Sequence, residues 1–161
     1  MSGKTIFAVP KDRQIVVVRL AQGAALTGEI FMESIAEGLS IHQKITSFIE
    51  NSNTFFPIKL SPEGNTEFIN KNMVQFFEVS LPEDPETSYF AHLLMQTIPV
   101  MVFLNDGSSV SGELMAEVPQ EKARLSDCLN LNEKFLPVKS VGRMCYINKH
   151  ALQKVVHAVK E

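Results

Sequence analysis

The stretch Val100–Glu113, VMVFLNDGSSVSGE, decides how the chain is read, because it occurs twice. Its earlier copy is Val16–Glu29, VVVRLAQGAALTGE. With no gap the two agree at six of fourteen positions: the first and third valines, the leucine, both glycines and the glutamate. Each copy opens with an apolar run, passes through a turn and continues with alternating apolar residues, which predicts a β-hairpin. Asn105-Asp106-Gly107 makes the second turn, and Asp-Gly is among the strongest short hairpin signals. A glycine then recurs inside the second strand of each hairpin, Gly28 and Gly112. Glycine weakens a strand and marks a bulge, a sharp bend or a close backbone approach, so its repetition predicts a strand bent to curl a small sheet.

The duplication extends outward. Arg124–Val138 aligns without gaps to Lys44–Ile58, and Tyr146–Lys149 aligns to Phe68–Lys71. The first copy is longer by four residues after its hairpin and by two in a later turn, both places where loops are expected. Ile41, Ile45, Phe48 and Ile49 are spaced for a short amphipathic helix. Phe55–Leu60, Glu67–Ile69 and Met73–Val79 read as strands, with Ser61–Asn65 a turn. Ser80–Glu86, with two prolines and several acids, reads as a linker. Thr87–Gln96 reads as a short helix leading to strands at Val100–Leu104 and Val110–Val118. The expectation is a mainly β chain of two tandem small bent-sheet barrels, with short helices before and within the repeats. The first copy spans 1–80, the linker 81–88 and the second copy 89–161. Periodic repetition of this kind is the strongest fold signal in the chain.

Composition bounds the function. The chain has 161 residues and a formal charge of −3, shared evenly: 1–80 carry 7 basic and 8 acidic groups, and 81–161 carry 8 and 10. Phosphate contacts supply most non-specific nucleic-acid affinity, so this balance argues against a nucleic-acid role unless positive charge is locally concentrated. Two cysteines, Cys128 and Cys145, make no disulfide framework. The first residues lack the apolar core of a signal peptide. No apolar run approaches the length of a membrane span. A reducing cytoplasm is the expected compartment.

The hairpin pattern V-x-L-x-x-G-x-x-(apolar)-x-G-x-(apolar) resembles the first signature of Sm/LSm-like proteins, small bent five-stranded barrels. The second copy is similar to the Hfq branch. Gln96-Thr97-Ile98-Pro99-Val100 leads into its hairpin, and Asn148-Lys149-His150-Ala151-Leu152 is similar to Hfq's Tyr-Lys-His-Ala-Ile segment. The resemblance implies that Lys149 and His150 lie in the turn joining the last two strands and contact RNA near a ring pore. The first copy keeps Lys71 and has Asn72 in the histidine place. Arg124–Asn132 and Phe135-Leu136-Pro137 depart from Hfq; such units also resemble a bacterial family of Sm-like domains with no assigned role.

Candidate residues have plainer readings too. Asn148, Lys149 and His150 would offer a base-edge group, an ammonium and an imidazole to single-stranded RNA; as a plain turn, the asparagine would bond its own backbone. Asn70 and Lys71 share both readings. Arg124 and Asp127, three apart, read as a surface pair on one helical turn. Ser126 has no base beside it in any motif, and Gly107–Gly112 lacks the Lys-Ser/Thr ending and following helix of a phosphate loop. No hydrolase, zinc or dinucleotide fingerprint occurs. The cysteines and the scattered His42, His92 and His157 read as core or surface residues.

The expected function is therefore a non-enzymatic binding or assembly module, with no cofactor or metal. It would act through protein contacts or self-association at strand edges, which must be paired, covered or charged. The alternative is an RNA-binding module using the Asn-Lys-His turn. A small-ligand site between the copies is a third reading, motivated by the duplication alone.

Overall fold

The structure, a computed structural model, describes residues 11–33, 38–60, 63–91, 93–117 and 124–158. Ser61 and Pro62 of the expected turn, His92, and Val118 at the end of an expected strand lie outside these residues. Among them the chain runs β1 (Lys11–Leu20), β2 (Ala25–Glu33), α1 (Ile41–Glu50), β3 (Phe55–Leu60), β4 (Thr66–Asn70) and β5 (Val74–Ser80). It continues with α2 (Pro85–Ser88), β6 (Gln96–Leu104), β7 (Ser109–Ala116), α3 (Leu125–Leu129), β8 (Phe135–Ser140), β9 (Arg143–Asn148) and β10 (Leu152–His157). Short 3-10 turns at Lys71–Met73 and Lys149–Ala151 precede β5 and β10.

Both duplicated hairpins form. β1 pairs with β2 from Lys11↔Glu33 to Arg19↔Ala25, and β6 pairs with β7 from Gln96↔Ala116 to Phe103↔Ser109. Alternation decides which face is buried: Ile98, Val100, Val102 and Leu104 of β6 go inward, while Met101 is exposed. Fully burying each such side chain contributes about 1.5–3 kcal/mol. Even the irregularities repeat, since the register shifts next to Leu20 where β1 meets β5 and next to Leu152, opposite Leu104, where β6 meets β10.

The recurring mid-strand glycines have a physical cause. Gly28 lies where β2 pairs with β3, and a Cβ there would strike the Lys59 carbonyl oxygen and the Ile58 side chain. Gly112 lies beside β8, and a Cβ there would strike the Lys139 carbonyl oxygen and the Val138 side chain. Of the three readings for a strand glycine, close backbone approach is the one found.

The strands are joined as one ten-stranded antiparallel sheet, in the order β10-β6-β7-β8-β9-β5-β1-β2-β3-β4. Within each copy the spatial order is the same: last strand, first, second, third, fourth. The two runs meet where β5 of the first copy pairs with β9 of the second, from Phe76↔Ile147 to Ser80↔Arg143. Among the described residues the sheet is open, ending at β4 and β10. One core cluster crosses this joint, combining Val16, Ile45, Phe56 and Phe77 with Phe135, Met144 and Tyr146. A second lies mostly in the later copy, around Val100, Leu114, Val138 and Ile147, and takes in Phe76 of β5.

α1 begins with a capping box. Ser40 Oγ accepts from the Gln43 backbone N–H at 3.1 Å, and Gln43 Oε1 accepts from the Ser40 N–H at 2.9 Å. Both bonds satisfy donors that a helix start otherwise leaves open. Its buried face is His42, Ile45 and Ile49.

The helix expected over 87–96 is instead a single turn, Pro85–Ser88. Tyr89 and Phe90 leave it to bury themselves in the joint, and Leu94 is exposed. Tertiary burial of two aromatic rings outweighs the weak helical preference of a short segment.

Candidate functional site

The Asn-Lys-His turn and its partner are built as local structure. Asn148 Oδ1 accepts from the His150 backbone N–H at 2.9 Å, and Asn70 Oδ1 accepts from the Asn72 N–H at the same distance. Asn148 Nδ2 also donates to the Val74 carbonyl at 2.9 Å, tying β9 to the start of β5. Asn148 is buried and held on both ends of its amide.

Both lysines hold carbonyls at or just past a helix end. Lys71 Nζ donates to the Phe48 and Asn51 carbonyls at 3.1 and 3.2 Å, and to Asn51 Oδ1 at 2.6 Å. These are open acceptors at the C-terminus of α1, where a cation is favoured. Burial and then the nearby Lys134 charge lower its pKa to about 8, so it remains a cation at neutral pH. Lys149 Nζ donates to the Leu131 carbonyl at 2.8 Å, just past α3. His150 is exposed. Arg124 and Asp127 form the expected surface pair, Nε to Oδ2 at 3.1 Å, both well exposed.

Sequence reasoning missed the polar chain at the joint. His42 Nδ1 lies 2.8 Å from the Tyr146 hydroxyl, which lies 2.7 Å from the Tyr89 hydroxyl. The three come from α1, β9 and the segment after α2, and all three are buried. Burial lowers the His42 pKa from 6.5 to about 4, so the ring is neutral at physiological pH. Burial holds the Tyr146 hydroxyl well above its ordinary value, with Tyr89 adding to the rise. One signal was available: a histidine spaced with Ile45 and Ile49 on an apolar helix face needs a partner when it is buried.

Glu50 closes the same joint, its carboxylate accepting from the Lys134 and Phe135 backbone N–H groups at 2.8 and 2.9 Å. Between α1 and the second copy lies a cavity of about 110 Å³, lined among others by His42, Met95, Met115, Phe135 and Tyr146. Cys128 also lines it, and both cysteines are buried free thiols. Among the described residues, no group of three or more His, Cys, Asp or Glu is placed to hold a metal ion. No helix among them is long and apolar enough to cross a membrane.

In comparisons with known proteins, no family model, curated protein or solved structure matches the chain.

The sheet ends are the remaining candidate surface. The sequence alignment places β4 opposite β9 and β10 opposite β5 in the duplication. β9 and β5 are already paired with each other, whereas among the described residues β4 pairs only with β3 and β10 only with β6. Phe55 and Phe68 are exposed at the β4 end, and Val156 is exposed on β10. The counterparts of the two phenylalanines, Phe135 and Tyr146, are buried.

Proposed function

We propose that the chain is a non-enzymatic assembly and binding module made of two Sm-like units, each a small bent five-stranded barrel. It acts through protein–protein contacts at its strand edges, and its first partner is a second copy of itself. The carrying observation is the β5–β9 joint, because the two open edges are the duplicated counterparts of the two strands that make it.

Copying the internal register onto the open edges gives a specific pairing. Phe76↔Ile147 becomes Lys154↔Ile69, Phe77↔Tyr146 becomes Val155↔Phe68, and Glu78↔Cys145 becomes Val156↔Glu67, with β10 from one chain and β4 from the next. Such pairing covers the open edge of β4 and takes Phe68 out of water. Asn130 aligns with Glu50, and its single side-chain oxygen would accept from one of the Thr54 and Phe55 amides, where Glu50 accepts from both Lys134 and Phe135. The contact is head-to-tail, so it closes a ring if the rotation per chain allows and otherwise grows open chains. Buried free thiols at Cys128 and Cys145 suit a reducing cytoplasm.

The RNA reading draws less support. Asn148, Lys149, Asn70 and Lys71 all hold intramolecular hydrogen bonds, leaving the exposed His150 ring as the available group of the turn.

The test is solution mass by light scattering. The wild type is expected at a multiple of the 18.0 kDa chain. Val156→Glu sets two carboxylates opposite each other in the copied register and should dissociate the assembly; adding Glu67→Lys should restore it. A wild-type monomer, or an assembly indifferent to both changes, would overturn the proposal. Nucleic acid co-purifying in the same peak would favour the RNA reading instead.

A further inference from the structure

The cavity beside α1 has an unusual floor. His42 spends Nδ1 on Tyr146, and among the described residues Nε2 has no partner. Among the described residues, the side-chain polar atoms that are both sealed from solvent and unpartnered are Arg19 Nε and Gln75 Oε1. His42 Nε2 is not one of them, so this nitrogen is reachable by solvent, and the residue that carries it lines the cavity.

Hydrogen counting fixes which way it points chemically. A neutral imidazole has one N–H and one acceptor nitrogen, and each tyrosine has one O–H. Among the described residues the Tyr89 hydroxyl has Tyr146 as its partner and no other. If His42 donated from Nδ1, the Tyr146 proton would pass to Tyr89, and the Tyr89 proton would be left buried with no acceptor. That costs about 1–3 kcal/mol. Running the chain the other way, from Tyr89 to Tyr146 to His42 Nδ1, uses both hydroxyl protons. It leaves Nε2–H as a fixed donor into the cavity.

The walls and rim narrow the ligand further. The Phe135 and Tyr146 rings and the Met95 and Met115 thioethers make the walls apolar and polarizable. Glu50, Glu117 and Glu133 also border the space, the last two exposed, and Lys149 Nζ is engaged by the Leu131 carbonyl. An anion would meet carboxylates, and a cation would meet a donor at the floor. A volume of about 110 Å³ is somewhat below the ~150 Å³ that holds benzene in an engineered protein cavity. We propose that this cavity is a binding site for a flat, uncharged ring of about six or seven non-hydrogen atoms with one hydrogen-bond acceptor, a phenol- or pyridine-like molecule. Its acceptor takes the His42 Nε2–H and its ring lies among the aromatic and methionine side chains. This does not depend on self-assembly.

The experiment uses the full chain with its methionine methyls labelled with carbon-13, titrated with phenol, toluene and benzoate. Phenol should shift the Met95 and Met115 methyls to saturation and leave the exposed Met73 unmoved; benzoate should shift none. His42→Phe should weaken phenol about five- to ten-fold, the worth of one hydrogen bond, and leave toluene nearly unchanged. Should that variant not fold, nitrogen-15 spectra of the wild-type imidazole serve, with an Nε2-protonated ring whose Nε2 moves on adding phenol. Ala116→Leu, which fills the space, should abolish both responses. Unmoved Met95 and Met115 methyls, benzoate binding as well as phenol, or a ring protonated on Nδ1 would each overturn the assignment.

Discussion

Tyr146 and Phe68 hold the same place in the two copies, and the sheet buries one and exposes the other: Tyr146 is 1% exposed and Phe68 is 69% exposed. The difference is what lies alongside. β9 has β5 against its edge and α1 and Tyr89 over the ring, whereas the β4 edge is open. Tyr146→Phe should therefore destabilise the fold by about 1–3 kcal/mol, since His42 and Tyr89 lose a partner inside the core. Phe68→Ser should change the stability of the single chain by less than about 0.5 kcal/mol. Urea unfolding of the two variants, at concentrations low enough to dissociate assemblies, checks the contrast. Equal effects would mean that the joint does not depend on the hydroxyl chain.

His42 should give the protein an acid limit. Its folded pKa is depressed from 6.5 to about 4 by burial. Above pH 6.5 it is neutral in both states and contributes no pH dependence. Between pH 6.5 and 4 the unfolded chain takes up the proton and the folded chain does not, so stability falls as pH falls, then levels below about 4. The full loss is about 3 kcal/mol. Subtracting the profile of His42→Gln from that of wild type should isolate this slope. A flat difference across the window would mean that the imidazole is not shut away from water.

The hairpins were legible because local pattern and duplication agree: Val16–Glu29 and Val100–Glu113 carry alternation, turn and glycine in one stretch. The joint was not, because β5 to β9 pairing links residues with no shared local signal. β5 did carry a hint in its sequence, with Val74 and Phe76 apolar on one face and Phe77 and Val79 on the other. A strand apolar on both faces belongs in the middle of a sheet, covered on both sides. The roles of Lys71 and Lys149 were hidden for a different reason. A lysine reads as surface charge until the carbonyls it caps, on Phe48, Asn51 and Leu131, are brought to it by the fold. Tyr89 shows the limit of local pattern, since it falls in the stretch Thr87–Gln96 that reads as a short helix, and its hydroxyl instead answers Tyr146.

Glu50 should matter more than its place at a helix end suggests. Its two carboxylate oxygens each accept a backbone N–H from the second copy, so one side chain spans the joint twice. Glu50→Gln keeps one acceptor and turns an NH2 toward the other amide, which leaves that donor unmet. The expected cost is about 1–3 kcal/mol. Amide hydrogen exchange at Lys134 and Phe135 should quicken in the variant, and exchange at Val16 and Val18 should not. Protection unchanged at 134 and 135 would mean that these bonds are not held in solution.

Gly28 and Gly112 should tolerate nothing larger. At each, a Cβ would run into the carbonyl oxygen of the neighbouring strand, at Lys59 or Lys139, and a backbone atom moves only if the strand moves. Gly28→Ala and Gly112→Ala should each cost about 1–3 kcal/mol, the usual penalty for forcing extra atoms into packed structure. Gly107 is the internal control. It has φ +93° with open space where a Cβ would go, so Gly107→Ala strains the turn without a collision. Gly107→Asn should be nearly neutral, because asparagine adopts this backbone region more readily than other side chains. Thermal unfolding of the four variants should rank Gly107→Asn above Gly107→Ala and both above the two strand substitutions. A Gly112→Ala protein as stable as wild type would show that β7 and β8 do not approach this closely.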